Sequence, residues 1–234
     1  MSEILKISGL WGGYKEGVDI LRGIDMTIQE GEAVGIIGLN GSGKSTLGKA
    51  IMNMIPIRRG EILFNGESIM NLSTHELVNK GISIMQQGGQ VFQNLSVWEN
   101  LEIAFGRGDD SLFQQLQTII PLLRTSKKEL KRKMADKLSG GQKHQLSLAM
   151  TLATQPTLVI LDEPSAGLSP IAVNEMYSLL LNIKGSLHVS ILLIEQNITK
   201  SMGFCDKSLL MNLGVISEEI NSDIDAIGSL IFKM

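Results

Sequence analysis

The sequence has few aromatic residues, a single cysteine and no long apolar run. Aromatic residues make up 4% of the 234 positions, so Ile, Leu, Val and the 12 methionines must fill the core. One cysteine excludes an internal disulfide and is typical of a reducing compartment. The apolar runs fall well short of the about 20 residues that span a bilayer, and we expect no signal peptide. We therefore expect a protein that is soluble by itself and reaches a membrane only through a partner.

The sequence also lacks a strong excess of one charge. It has 21 Lys and Arg against 24 Asp and Glu, a formal net charge of −3. General nucleic-acid binding usually requires a basic face, so we expect no nucleic-acid partner. At 43% hydrophobic residues the chain can bury a large core, and its length suits one domain or two small ones.

Strand and helix signals alternate along most of the chain. Short apolar runs such as GISIM, TLVILDEP, HVSILLIEQ and KSLLMN predict strands, and LGKAIMNMI predicts a helix stopped by Pro56. The turn Asn65–Gly66 between alternating apolar residues predicts a hairpin. This alternation predicts an α/β fold with a mostly parallel sheet and helices on both faces. Residues from about 88 to 137 carry helical periodicity instead, which indicates a helical insert.

A glycine-rich loop follows one of the predicted strands. The segment GLNGSGKST fits the pattern Gly-x-x-x-x-Gly-Lys-Ser between a strand and a helix. Its glycines let backbone N–H groups point at phosphate oxygens, Lys44 can reach the β- and γ-phosphates, and the Ser45 hydroxyl can bind Mg²⁺. The pattern predicts an ATP- and Mg²⁺-binding loop that consists of Gly38, Leu39, Asn40, Gly41, Ser42, Gly43, Lys44, Ser45 and Thr46.

Two acidic residues follow a second buried strand. In LVILDEP, four apolar residues precede Asp162 and Glu163, and the carboxyl end of a strand in an open α/β sheet is where ligands bind. We expect Asp162 to hold Mg²⁺ through water, and Glu163 to orient and polarise the attacking water. The order, with the phosphate loop early and the acidic strand late, predicts a P-loop ATPase.

A second glycine motif lies far from the first. The segment LSGGQ, Leu138, Ser139, Gly140, Gly141 and Gln142, offers a hydroxyl and free backbone N–H groups at a predicted helix start. A loop this far from the first is not expected to reach the same nucleotide within one chain. It can do so if two copies pair head-to-tail, so that each copy brings its phosphate loop to one ATP and its LSGGQ to the other. We expect Ser139 and the two glycine N–H groups to cap the γ-phosphate across that interface. ATP would then join the dimer, and hydrolysis would release it.

Together these motifs resemble the ATP-binding cassette (ABC) ATPases. The segment LSGGQ, between a phosphate loop and LVILDEP, is similar to the signature of that family, and the resemblance covers almost the whole chain. It implies one nucleotide-binding domain over residues 1–234. Residues 1–87 and 138–234 would form a RecA-like core with an N-terminal antiparallel β subdomain, and residues 88–137 would form the helical signature subdomain.

The resemblance implies further site residues. Tyr14 looks like the aromatic residue that stacks on adenine. Gln87 looks like the Q-loop glutamine that contacts Mg²⁺ and the attacking water, although its neighbour Gln86 leaves the register open. The segment SAGLSP is similar to the D-loop that crosses to the partner subunit, with Ser165, Ala166, Gly167 and Leu168 as its first residues.

The switch position departs from the common pattern of the family. Most members carry histidine where this chain has Gln196, and glutamine cannot take up a proton near pH 7. One interpretation is impaired hydrolysis. The other, which we favour, is that Gln196 positions the γ-phosphate through hydrogen bonds. His144 and His188 lie off this register, and we expect both at the surface.

The segments EQN, PSAGLSP and VxENL are similar to the branch of the family that handles branched-chain amino acids. This resemblance implies an ATP-hydrolysing subunit of a membrane importer at the cytoplasmic face of the cell membrane. Its partners would be permease subunits, a second ABC ATPase (a copy or a paralogue) and, indirectly, a solute-binding protein. A groove between Gln87 and the helical insert would receive a coupling helix of the permease.

Two other functions remain open. A soluble cassette ATPase in assembly or repair is one, although repair members need long coiled-coil arms and no sustained heptads occur here. A nucleotide-gated interaction module with little turnover is the other. That function would depend on Gln196, and the intact Glu163 argues against it.

Overall fold

The computed structural model describes residues 2–106 and 110–220. This part of the chain contains ten strands and eight α-helices, numbered in chain order. The strands are β1 Glu3–Gly13, β2 Leu21–Gln29, β3 Ala33–Ile37, β4 Ile57–Phe64, β5 Glu67–Ser68, β6 Ile82–Met85, β7 Leu158–Asp162, β8 Ser190–Glu195, β9 Lys207–Asn212 and β10 Val215–Ile220. The helices are α1 Lys44–Ile51, α2 Thr74–Asn79, α3 Val97–Phe105, α4 Asp110–Ile119, α5 Lys127–Arg132, α6 Gly140–Leu152, α7 Pro170–Leu187 and α8 Ile198–Phe204.

The strands form two sheets. The first has the order β2-β1-β4-β5 and is antiparallel throughout, with the predicted Asn65–Gly66 turn between β4 and β5. The second has the order β10-β9-β3-β8-β7-β6. It is parallel from β9 to β6, and only β10 pairs in the antiparallel sense. The mostly parallel sheet and the antiparallel subdomain that the sequence predicts are confirmed.

The parallel sheet is buried on both faces. Leu158 and Ile160 of β7 face a core shared with the antiparallel sheet and α1. Val159 and Leu161, the alternate residues of the same strand, face a second core that includes α3, α6 and α7. Continuous apolar strands such as LVIL are therefore what this sheet requires, because successive side chains point to opposite and equally buried faces.

The first helix differs from its predicted bounds. It begins at Lys44 and ends at Ile51, ahead of Pro56, so proline does not stop it. The stop is Asn53, whose backbone φ of 53° lies in the left-handed region and whose Nδ2 donates to the Leu72 carbonyl at 2.6 Å. Asparagine tolerates this conformation better than most residues, so the chain turns there.

The helical periodicity between residues 88 and 137 corresponds to α3, α4 and α5, and α6 begins just after it. Whether this segment is a separate subdomain stays a prediction. The chain just before α3 is held in place by Asn100 of α3, which is fully buried. The Asn100 side chain accepts from Phe92 N at 2.8 Å and donates to the Phe92 and Ser96 carbonyls at 3.0 and 2.9 Å.

Cys205 follows α8 and lies beneath the sheet with 8% of its surface exposed. Burial raises the pKa of its thiol to about 12, so the thiol stays protonated near neutral pH. Among the described residues, no helix combines the length and the apolar character that a membrane crossing demands.

We predict that Asn100→Ala lowers the free energy of unfolding by about 3 kcal/mol, because it leaves the Phe92 N–H and carbonyl groups without their partner in a buried place. Urea unfolding followed by circular dichroism measures the loss. The control is Asn182→Ala on the exposed side of α7, which we expect to change stability by less than about 0.5 kcal/mol. Equal effects of the two substitutions would refute the role of Asn100.

Candidate functional site

The site lies at one edge of the parallel sheet. Strand β8 pairs in parallel with β3 on one side and β7 on the other. The carboxyl ends of these strands therefore meet at one edge. The loop after β3, the acidic pair at the end of β7 and the Glu195–Gln196 pair at the end of β8 all lie there. Residues far apart in sequence are thus brought together by main-chain pairing.

The loop after β3 bends tightly before α1. Gly41 and Gly43 have φ angles of 80° and 108°, which side chains disfavour. A Cβ on Gly38 would lie 2.2 Å from the Met211 carbonyl, so only glycine fits against β9 there. The Ser42 hydroxyl is buried in this loop and has no hydrogen-bond partner among the described residues. The loop therefore combines exposed backbone with a buried, unused polar atom.

Lys44, the first residue of α1, is 4% exposed. Its Nζ donates to the carbonyls of Gly38 and Leu39 at 2.8 and 2.9 Å, so the ammonium group lies inside the curve of the loop. Burial lowers the pKa of Lys44, and the nearby carboxylates of Glu163, Asp162 and Glu195 oppose that shift. A cation is thus held at the centre of the loop.

Ser45 and Asp162 form a polar pair at the start of α1 and the end of β7. The Ser45 hydroxyl donates to Asp162 Oδ1 at 2.8 Å. Asp162 is 3% exposed. Burial raises the pKa of Asp162, the charge of Glu163 adds to this, and the hydrogen bond from Ser45 opposes it. A hydroxyl beside a buried carboxylate is an oxygen-ligand set that suits Mg²⁺.

Glu163 is held in an uncommon backbone conformation. Its φ is 48°, and its N–H donates to the Ile194 carbonyl at 2.9 Å. The side chain is 7% exposed. Its carboxylate accepts from Gln87 Nε2 at 2.6 Å and from Gln196 Nε2 at 2.5 Å. Two carboxamides from different loops thus aim the Glu163 carboxylate, and Gln87 rather than Gln86 makes this contact.

The LSGGQ segment begins α6. Leu138 is buried, whereas Ser139 and Gly140 are exposed. The Ser139 hydroxyl accepts from Gln142 N and Gln142 Oε1 accepts from Ser139 N, both at 3.3 Å, so the two residues cap the helix reciprocally. The N–H groups of Gly140 and Gly141, in the first turn of α6, have no partner within the helix.

The segment after Glu163 packs against LSGGQ. A Cβ on Gly140 would lie 3.7 Å from Leu168, and a Cβ on Gly141 would lie 3.5 Å from Ala172 of α7. A cavity of about 500 Å³ is lined by residues 139–142 and 167–169 among others, and none of the phosphate-loop residues lines it. Within one chain, LSGGQ therefore lies beside residues 167–169, and the cavity that they share contains no phosphate-loop residue.

The remaining predicted residues are exposed, except for Thr46. Tyr14 follows β1 and is 47% exposed. Leu39, Asn40 and Gly41 form the exposed tip of the phosphate loop, and Thr46 is buried at the start of α1. Tyr14 makes no aromatic contact among the described residues.

One histidine prediction is wrong. His188 is exposed as expected, but His144 is 4% exposed, and its Nδ1–H donates to the Pro164 carbonyl at 2.7 Å. A Cβ on Gly89 would lie 2.4 Å from the His144 ring. The imidazole thus packs between the chain after Gln87 and the chain after Glu163. The helical spacing from LSGGQ carried no signal for this contact.

Sequence reasoning also missed Glu195. This acidic residue ends the apolar strand β8 and is 4% exposed. The Ser165 hydroxyl donates to its Oε1 at 2.7 Å. The sequence signal that could have identified Glu195 is an acidic residue directly after a run of four apolar residues, Ile191 to Ile194.

The known proteins that this chain resembles belong to the same family as one another. The ABC transporter family matches residues 21–166. A probable branched-chain amino acid transport ATP-binding protein, LivF of Archaeoglobus fulgidus, is 33% identical over 92% of this chain and 90% of its own. The lipopolysaccharide export system ATP-binding protein LptB of Escherichia coli K12 is 28% identical over 90% of this chain and 87% of its own.

A solved structure agrees with the fold. The protein cbiO1 of Clostridium perfringens, described as part of the ABC transporter complex cbiONQ, superposes with a TM-score of 0.82 at 30% identity. The match covers 100% of this chain and 94% of cbiO1. With the family match over more than half of the sequence, the chain belongs to the ABC transporter family as one of its nucleotide-binding ATPase subunits.

Proposed function

We infer that the chain hydrolyses ATP to drive solute import across the cell membrane. The observation that carries this inference is the Glu163 carboxylate, which is aimed by two amides beside the Ser45–Asp162 pair and next to the phosphate loop. A carboxylate fixed in this way is suited to orient one water and accept its proton. A binding module without turnover has no use for such an arrangement.

The residues present fit ATP and Mg²⁺. The Ser42 hydroxyl is buried without a hydrogen-bond partner in the described part of the chain. This hydroxyl and the glycines of the loop suit phosphate oxygens, and Lys44 supplies a cation. Ser45 and Asp162, with Gln87, would hold Mg²⁺. When bound, the metal supplies positive charge against the phosphate oxygens. The exposed ring of Tyr14 is free to stack on the adenine.

The exposed start of α6 supports a two-copy site. Ser139 and Gly140 face outward and lie apart from the phosphate loop of their own chain. In a head-to-tail pair each copy would offer these groups to the γ-phosphate on the other, and Ser165–Leu168 would line the contact between them. The second subunit is either another copy or a paralogue.

A permease is the partner that fits the surface after Gln87. Phe92 and Ile103 are 51% and 55% exposed, and both lie between Gln87 and the end of α3. These exposed apolar side chains are available for a contact with another protein. A coupling helix bound there would contact the segment that follows Gln87. Because Gln87 is hydrogen-bonded to the Glu163 carboxylate, movements of the helix and of the catalytic site would be linked. In this proposal the chain would lie at the cytoplasmic face of the cell membrane, bound to the permease.

Branched-chain amino acids, or a related small polar solute, are the proposed cargo. LivF is described as a probable branched-chain amino acid transport ATP-binding protein. The segment EQN, which has Gln196 in place of the usual histidine, also resembles the branched-chain amino acid branch of the family. The similarity to LptB makes export the second candidate. The solute-binding protein would be an indirect partner, since solute contacts lie on other chains.

We predict that Glu163→Gln lowers kcat by at least about a hundredfold and leaves ATP binding intact, because the amide cannot accept the proton of water. Tagged in its own cells and extracted with Mg²⁺ and ATP, this variant should retain permease subunits and a second ATPase, identified by mass spectrometry. The control is the double variant that carries Lys44→Ala as well as Glu163→Gln. It lacks the cation of the phosphate loop, so it should bind ATP poorly and should not retain these proteins. Components of a lipid export system would favour the second candidate, and recovery as a homodimer alone would contradict transport.

We predict that Asp162→Asn leaves the ligand-free chain as stable as the wild type or more stable at pH 7.5. A folded-state pKa above the unfolded value means that ionisation opposes folding, and this penalty grows as pH rises through both values. The same variant should gain less thermal stability from Mg²⁺ and ATP. The control Asp25→Asn, on the exposed face of β2, should keep the full gain. A clear loss of ligand-free stability would be inconsistent with the burial penalty.

We predict that Gln196→Ala lowers kcat about tenfold, since one of the two charge-assisted hydrogen bonds to Glu163 is lost. Gln196→His should retain or raise turnover, because an imidazole N–H can also donate to the carboxylate. Steady-state phosphate release measures both. A complete loss with histidine would show that the carboxamide has a different role.

A further inference from the structure

Glu195 carries a buried carboxylate whose two oxygens serve two different segments. Oε1 accepts from the Ser165 hydroxyl at 2.7 Å, in the segment after the catalytic Glu163. Oε2 accepts from the backbone N–H groups of Gln196 and Asn197 at 3.1 and 3.4 Å. The carboxylate therefore joins the start of the SAGLSP loop to the loop that carries Gln196.

Burying an acidic side chain at this position lowers the stability of the fold unless its charge is compensated. The four preceding residues of β8 are apolar and buried, and Glu195 is itself 4% exposed. Removing a carboxylate from water costs free energy unless hydrogen bonds replace the water. The phenol of Tyr177 is buried nearby, and burial, followed by the charge of Glu195, raises its pKa. An apolar residue would pack here at lower cost if packing were the only requirement.

The connections of Glu195 lead to the catalytic carboxylate. Gln196, whose backbone N–H is held by Glu195, donates from its side chain to Glu163 Oε1. Ser165, held by the other oxygen, lies two residues after Glu163, and Ala166 N donates to the Glu163 carbonyl at 3.1 Å. Gln196 thus contacts the Glu163 carboxylate, the turn that contains Ser165 is bonded to the Glu163 main chain, and Glu195 joins Ser165 to Gln196.

We propose that Glu195 is a positioning residue that couples the seating of the Ser165–Leu168 loop to the aim of Gln196 on Glu163. The inference rests on the proposed function, in which that loop lines the contact with the second ATPase subunit. A partner that shifts Ser165 would then move the Glu195 carboxylate, and with it the backbone of Gln196. Turnover in one subunit would depend on a correctly seated partner.

Steady-state kinetics on three variants test the coupling. Glu195→Gln keeps the volume and removes the charge, Ser165→Ala removes the hydroxyl, and the third variant combines them. We expect each single change to lower kcat about tenfold with KM for ATP within about twofold. If both act through one hydrogen bond, the double variant should be no slower than the slower single variant. Effects on kcat that multiply would overturn the coupling.

A matched control separates positioning from general stability. Glu32 is also largely buried, accepts from Gln29 N at 2.7 Å, and pairs with Lys207 at 3.1 Å, but it precedes β3 at the opposite edge of the sheet. We expect Glu32→Gln to lower the melting temperature and leave kcat at the wild-type value. If kcat falls in proportion to stability in both Glu32→Gln and Glu195→Gln, Glu195 has a structural role only and the proposal fails.

Amide hydrogen exchange tests the same link without turnover. Without nucleotide, we expect Glu195→Gln to speed amide exchange relative to the wild type in both 164–169 and 196–198, and Ser165→Ala to speed it in both segments as well. Exchange that changes in one segment alone would refute the link, whether or not the chain hydrolyses ATP. A wild-type chain without ATPase activity would contradict the proposed function, and the exchange result would still stand by itself.

Discussion

The parallel pairing of β8 between β3 and β7 is the constraint on which the rest of the structure depends. It brings the phosphate loop, the Asp162–Glu163 pair and the Glu195–Gln196 pair to one edge of the sheet, although the phosphate loop lies more than a hundred residues before either pair. Burial on both faces fixes the register of the strands, because a slip of one residue would exchange the two cores. The geometry of the site is therefore set by apolar packing well below it.

That edge concentrates groups that destabilise a fold. Burial opposes the charge of Lys44 and of Asp162, and Glu163 occupies a left-handed backbone conformation. Such strain persists only where the surroundings over-determine it. Here the Ile194 carbonyl and the two carboxamides of Gln87 and Gln196 hold Glu163 in place. The stability of the large core on both faces of the sheet offsets the free-energy cost of this preorganised site.

The sequence predicts local features well and distant contacts poorly. The strand KSLLMN coincides with β9, and the phosphate loop lies between β3 and α1, because both depend on short-range pattern. The end of α1 at Ile51 was not predictable from Pro56, since Asn53 finds its partner in Leu72. The partners of His144 and Glu195, at Pro164 and Ser165, are likewise brought close by folding, so spacing along the chain did not identify these contacts.

The burial of Cys205 has a practical consequence for chemistry on this protein. Its thiol is the only one in the sequence, is 8% exposed and has a pKa raised to about 12. Thiolate is the reactive species toward maleimides and iodoacetamides, so the native chain is close to inert to them. A cysteine introduced at an exposed position would thus be the single labelled site, and a spectroscopic probe could be attached without removing Cys205 from the core first.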